Sequence, residues 1–194
     1  IDVESKTLKH SVPVGRYPFG VCLSPDEKKV YVANVGMFEY DWIKENKSDT
    51  AKIKPIDYPA FAYNSKEMVE GIENDTISIP GLGDVNSLEA FSIFSINLED
   101  KLEPKVTAKI KTGHLVGALV EGIPAVGGSS PNSIVSTDEY VFVSNGTNDN
   151  ISVIDYEKGI ITKHIPITVH PQLDRYRGLL PFGITVSKDG TQLY

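Results

Sequence analysis

The chain has 194 residues, 40% of them hydrophobic, and a formal net charge of -7. The length supports a sizeable buried core, and the acidic balance argues against a nucleic-acid or anionic-membrane surface. No apolar run reaches membrane-spanning length, and one cysteine, Cys22, excludes an internal disulfide.

Taken in order, residues 1–15 read as the second half of a strand unit, because Ile1-Asp2 matches Ile154-Asp155 further on. Ile1 thus falls inside a repeat, and any targeting segment is expected upstream of it. Residues 18–111 read as one full unit. Pro18 to Leu23 and Val30 to Asn34 are its first two strands, Phe91 to Asn97 the third and Val106 to Ile110 the fourth. Cys22 in the first strand is predicted to be a small core residue. An insertion over 35–92 separates the second strand from the third. It contains the single Trp42 and aromatic runs around Tyr40 and Tyr63, a composition that favours a folded flap. Within it, Ser65 is placed to cap a short helix over Lys66 to Glu70. The linker Thr112 to Ser130 is long and glycine-rich. A second full unit follows over 131–167, and a half unit over 181–194.

The second full unit shows the pattern without interruption. Ser133 to Ser136, Tyr140 to Asn145, Ile151 to Asp155 and Ile160 to Ile165 are short runs rich in β-branched and aromatic residues. Asp138-Glu139, Gly146-Thr147-Asn148-Asp149 and Lys158-Gly159 interrupt them as turns. Its head, Pro131-Asn132, recurs as Pro18-Phe19-Gly20 and Pro181-Phe182-Gly183. Each copy leads through Ser or Thr and Asp to a tyrosine strand. A recurring four-strand antiparallel unit predicts an all-β chain, a β-propeller region spanning 1–194. The half units at the two ends leave strand edges open, and they are expected to pair with each other within one chain or between copies.

Tyr31-Val32-Ala33-Asn34 and Asn150-Ile151-Ser152-Val153-Ile154-Asp155 resemble the YVTN-type β-propeller repeat. The stretches around Pro131, Asn145 and Leu179 are similar to a bacterial subgroup in which the propeller precedes an alkaline-phosphatase-like phosphoesterase domain. The resemblance implies a periplasmic, cell-surface or secreted setting. No such catalytic domain lies within these residues.

In a four-stranded blade the loops after the second and fourth strands share one end. The insertion and the two long linkers, Thr112 to Ser130 and Thr168 to Leu180, fall there, and the other connections are short. One-sided elaboration of this kind points to a binding end on a rigid scaffold. Arg175 and Arg177 around Tyr176, with Arg16 before Tyr17, are candidates to clamp a carboxylate or phosphate, against the alternative of solvated or ion-paired arginines. Gly127, Gly128 and Ser129 have the composition of a backbone anion nest. They lack the lysine of a phosphate loop, which favours a turn feeding the next strand. Trp42 and Asn132 complete the candidate contacts.

His10, His114, His164 and His170 show no metal-ligand spacing. Asn145, Asn148, Asp149 and Asn150 offer oxygens to calcium, but no glutamate stands at the required distance, which favours a turn. No nucleophile elbow is present. The reading is a binding module without catalytic residues, cofactor or metal, facing a protein, glycan or cell-envelope partner. The alternative is the propeller portion of a phosphoesterase.

Overall fold

A computed structural model describes residues 1–38, 65–73, 78–100, 102–173 and 176–194. They are almost entirely β. Strands β1 (Pro18–Leu23), β2 (Lys29–Asn34), β5 (Ser92–Asn97) and β6 (Lys105–Lys111) form one open antiparallel sheet in that order. Strands β9 (Pro131–Ser136), β10 (Tyr140–Asn145), β11 (Asn150–Asp155) and β12 (Ile161–Pro166) form a second with the same sequential order. Two-stranded ribbons, β3 (Gly71–Glu73) with β4 (Ser78–Pro80) and β7 (Leu119–Val120) with β8 (Ile123–Pro124), complete the strands. The strands expected in the two full units appear within a residue or two of their predicted bounds, whereas the half units 1–15 and 181–194 contain only the isolated bridges Asp2–Thr7 and Val186–Leu193. No helix among the described residues is long and apolar enough to cross a membrane.

Two of the Ser–Asp turns share the same hydrogen bonds. The Ser24 amide donates to the Lys29 carbonyl, the Lys29 amide to Ser24 Oγ, and Ser24 Oγ to Asp26 Oδ1. The same three bonds recur between Ser187, Gln192 and Asp189. Likewise the Asp2 amide bonds the Thr7 carbonyl as the Asp155 amide bonds that of Ile160. Serine and aspartate close such turns because their short side chains satisfy backbone groups a few residues on.

Strands β1 and β9 lie side by side. The space where a Cβ on Gly20 would go is 2.5 Å from the Asn132 carbonyl oxygen, so only glycine lets β1 approach β9 this closely. On the other side of β9, Ser144 Oγ donates to the Phe182 carbonyl (2.7 Å) and the Ile184 amide to Ser133 Oγ (3.3 Å). The 185–194 segment then folds back as a hairpin, with the Thr185 and Tyr194 amides exchanging bonds with each other's carbonyls. The half units do not pair within the chain: no backbone hydrogen bond joins 1–15 to 181–194.

The main core lies between the two four-stranded sheets. It contains Tyr31, Ala33 and Ile93 from one and Ile134, Val141, Val143 and Ile154 from the other. β5 and β11 are buried on both faces, which explains their nearly unbroken burial, whereas the outer strand β12 is mostly exposed. Burying each Ile or Val contributes about 1.5–3 kcal/mol.

Cys22 packs against the margin of this core, partly rather than fully buried. Burial pushes its thiol from 9.0 up to about 12. A pKa raised by folding gives a contribution that is complete below pH 9.0 and is lost as pH climbs toward 12. Cys22→Ala should accordingly flatten the alkaline limb of a stability-versus-pH curve. At pH 8 the folded thiol should react with a disulfide reagent at least about 100-fold more slowly than the urea-unfolded chain. Equal rates would show that the site is open.

A second, smaller core sits at the loop end. Met68, Leu82, Val85, Ala90, Phe91 and Val116 pack together, with Met37 and Phe38 beside them. Its helix, α1 (Lys66–Glu70), is the expected one: Ser65 Oγ accepts the Met68 amide at 3.1 Å. The third strand starts one residue later than predicted because Phe91 takes a left-handed φ of 46° and turns out of the strand. Lys111 ties the segment down, donating from Nζ to the carbonyls of Val85, Ser87 and Ala90 at 3.2, 3.0 and 2.6 Å. Burial lowers the Lys111 pKa to about 8, so near neutral pH the ammonium keeps all three donors on these carbonyls.

Candidate functional site

The long connections gather at one end of the sheets because their polar groups bond one another. The linker after β6 meets the turn after β10 through several hydrogen bonds. The Gly146 amide donates to the Ser130 carbonyl (3.0 Å) and the His114 amide to Asn148 Oδ1 (2.8 Å). Asn148 Nδ2 (3.1 Å) and Thr147 Oγ1 both donate to the Gly128 carbonyl. The linker after β12 is held by Asp149, whose carboxylate accepts the Gly178 amide at 2.6 Å and the Leu180 amide at 3.0 Å. Across the gap, Arg177 Nη2 meets Glu121 Oε1 at 2.7 Å. At the opposite end the tight turns meet one another instead: Tyr156 Oη donates to Asp26 Oδ1 (2.9 Å) and Lys29 Nζ to the Tyr156 carbonyl (3.2 Å).

Between these linkers lies an open cleft of about 660 Å³. Its apolar wall includes Val120 and Ile123 from the β7–β8 ribbon and Val126 just after it, and Ile167 lines it beyond β12. Thr147, Asn148, His114 and His164 bring the polar atoms. The two imidazoles sit with ring centroids 5.9 Å apart and planes tilted by 44°. His164 is anchored from behind: its Nδ1 is 3.1 Å from Ser152 Oγ, which accepts a 2.7 Å bond from Asn145 Nδ2. Asn145 and Ser152 are fully buried. Burial, and secondarily the neighbouring His114, lower the His164 pKa from its ordinary value, favouring the neutral ring.

Of the residues singled out from the sequence, Arg177 lines this cleft. Trp42 and Arg175 lie outside the described residues. Arg16 is committed elsewhere, donating from Nη1 to the carbonyls of Met37 (2.6 Å) and Asp84 (2.8 Å) and so fastening the insertion to the sheet. Tyr17 is exposed, with a left-handed φ of 49°, and its carbonyl accepts the Val35 amide. Gly127 and Gly128 both have positive φ, but Gly128 and Ser129 are buried. Ser129 Oγ shares a hydrogen bond with Thr112 Oγ1, which suits the turn reading rather than an anion nest. Asn132 accepts from Ser130 Oγ within β9. The calcium alternative for Asn145 to Asn150 meets the same difficulty, since both Asp149 carboxylate oxygens hold backbone amides.

No protein-family model matches the chain, and no curated protein matches it. Among solved structures, it is similar to a functionally unknown protein from Desulfotomaculum acetoxidans DSM 771, at 18% identity and a TM-score of 0.40. The match covers 91% of this chain, which spans 48% of that one.

In the sequence His114 and His164 are set aside for want of metal-ligand spacing, and the β7–β8 ribbon is not singled out. The ribbon had a signal: Glu121-Gly122 between apolar pairs, which adopts φ values of 53° and 80° at the two turn positions, the pattern of a primed hairpin turn. The histidines had none, being fifty residues apart and joined only through strand packing. Chemically, the cleft offers an apolar wall, neutral imidazole and amide groups and a rim ion pair. Among the described residues, the hydroxyl that meets a cleft imidazole, Ser152 Oγ at His164 Nδ1, is fully buried behind the ring.

Proposed function

We propose that the chain is part of a β-propeller of YVTN-type repeats, a non-catalytic binding module outside the cytoplasm whose long-loop end receives a protein, glycan or cell-envelope ligand. The observation that carries this reading is the convergence of the long linkers around one cleft while the tight turns collect at the other end. Successive first strands lying side by side, and the duplicated Ser–Asp turns, support the blade arrangement. A rigid sheet pair with loops at one end suits recognition, because the strands hold the loops in place without being consumed by the contact.

Amide chemical-shift mapping against a panel of envelope glycans and peptides tests the reading. Binding should move His114, Thr147 and Arg177 and leave Asp26 and Tyr156 still. Shifts confined to the tight-turn end, or steady hydrolytic turnover by the chain alone, reject it.

A further inference from the structure

We propose that His114 and His164 form a site for a divalent transition-metal ion, held at the cleft with its remaining positions open to water or to a ligand donor. The pair is the first element of the argument. A ring nitrogen lies just over 1 Å from its centroid and binds such ions at about 2.0–2.1 Å, so two imidazoles sharing one ion place their centroids roughly 5–6 Å apart. The observed separation is 5.9 Å, with the rings tilted rather than stacked. A stacking contact is not needed to explain the pair, because the His164 ring and the His114 backbone are each held by other contacts.

That fixing is the second element. His164 Nδ1 is engaged by Ser152 Oγ, and Ser152 is in turn engaged by Asn145, both side chains fully buried. A ring tethered at Nδ1 presents Nε2 as its remaining ligand atom, the arrangement in which outer hydrogen bonds orient a metal-binding histidine. His114 is placed by its own backbone, whose amide donates to Asn148 Oδ1. Both rings line the cleft and neither is sealed in the core.

The third element limits the metal. Among the described residues no third His, Cys, Asp or Glu joins the pair. Asp149 is spent on the Gly178 and Leu180 amides, and Glu121 on Arg177. Two neutral nitrogens without carboxylates suit nickel, copper or zinc and do not suit calcium or magnesium, which require several oxygens. The proposal depends on the cleft alone and not on the blade or ligand reading above, so each can fail without the other.

The test is titration of the metal-free chain with NiCl2 and with ZnCl2, followed by calorimetry and thermal unfolding. One ion should bind per chain, and saturating metal should raise Tm by about 5 °C. His114→Gln and His164→Gln should each weaken binding about tenfold or more, with the metal-free Tm changed little because neither ring lies in the core. A His10→Gln/His170→Gln double variant should bind like the parent. Absence of saturable binding, equal binding by the His114→Gln chain, or loss of binding in the double variant each overturns the assignment.

Discussion

Gly128→Ala should lower stability by about 3–4 kcal/mol, through backbone strain and overpacking acting together. Gly128 has a φ of 69°, where a Cβ is strained in any surroundings. Its missing side chain would also point into the ring of Phe91, a core residue only 3% exposed. Phe91 cannot easily yield, because its own φ of 46° and the bond from the Thr112 amide to its carbonyl hold it in place. Urea unfolding measures the loss, and a cycle with Phe91→Ala separates the two causes. The steric share should disappear in the double variant and the strain share should remain. A single-variant cost below about 1 kcal/mol would mean that the glycine is not required where it stands.

Asp149→Ala should cost about 3 kcal/mol and free the 176–182 segment from the second sheet, since hydrogen bonds to a charged group contribute about 1.5–3 kcal/mol each. Asp149 is 6% exposed, and its carboxylate accepts two amides from a linker that has few other anchors. Its residue also occupies a left-handed conformation, φ 47°, which aspartate tolerates better than alanine. Hydrogen exchange at the Gly178 and Leu180 amides should accelerate sharply in the variant, while Val141 and Val153 in the sheet core exchange as before. Asp149→Asn should fall between, keeping one acceptor oxygen and turning its NH2 toward an amide donor. Unchanged protection at residues 178 and 180 would remove Asp149 from this role.

These two residues illustrate different degrees of legibility. Gly128 is legible in the sequence as part of a glycine pair with the composition of an anion nest or a turn. Its use, room for Phe91, depends on a residue 37 positions earlier. Asp149 was considered for calcium within an asparagine-rich turn, and the turn was correct. The amides that its carboxylate holds come from a linker about thirty residues later, and nothing local announces them. Arg16 is similar: a lone arginine beside a tyrosine suggests ligand binding, and the fold spends it on the carbonyls of Met37 and Asp84. Arg177 alone among the described arginine candidates reaches the cleft, where Glu121 already meets it.

By itself the sequence determined the strands of the two full units, their antiparallel order and the turns between them. Alternation, β-branched content and Ser–Asp turn chemistry act over a few residues, so a linear string records them in full. The helix after Ser65 was legible for the same reason. Only tertiary structure decided which polar side chains are spent inside the protein and which face the cleft, and it alone brought His114 beside His164. Those outcomes depend on strand packing between units, where contacts join residues far apart in the chain and the local pattern carries no mark of its partner.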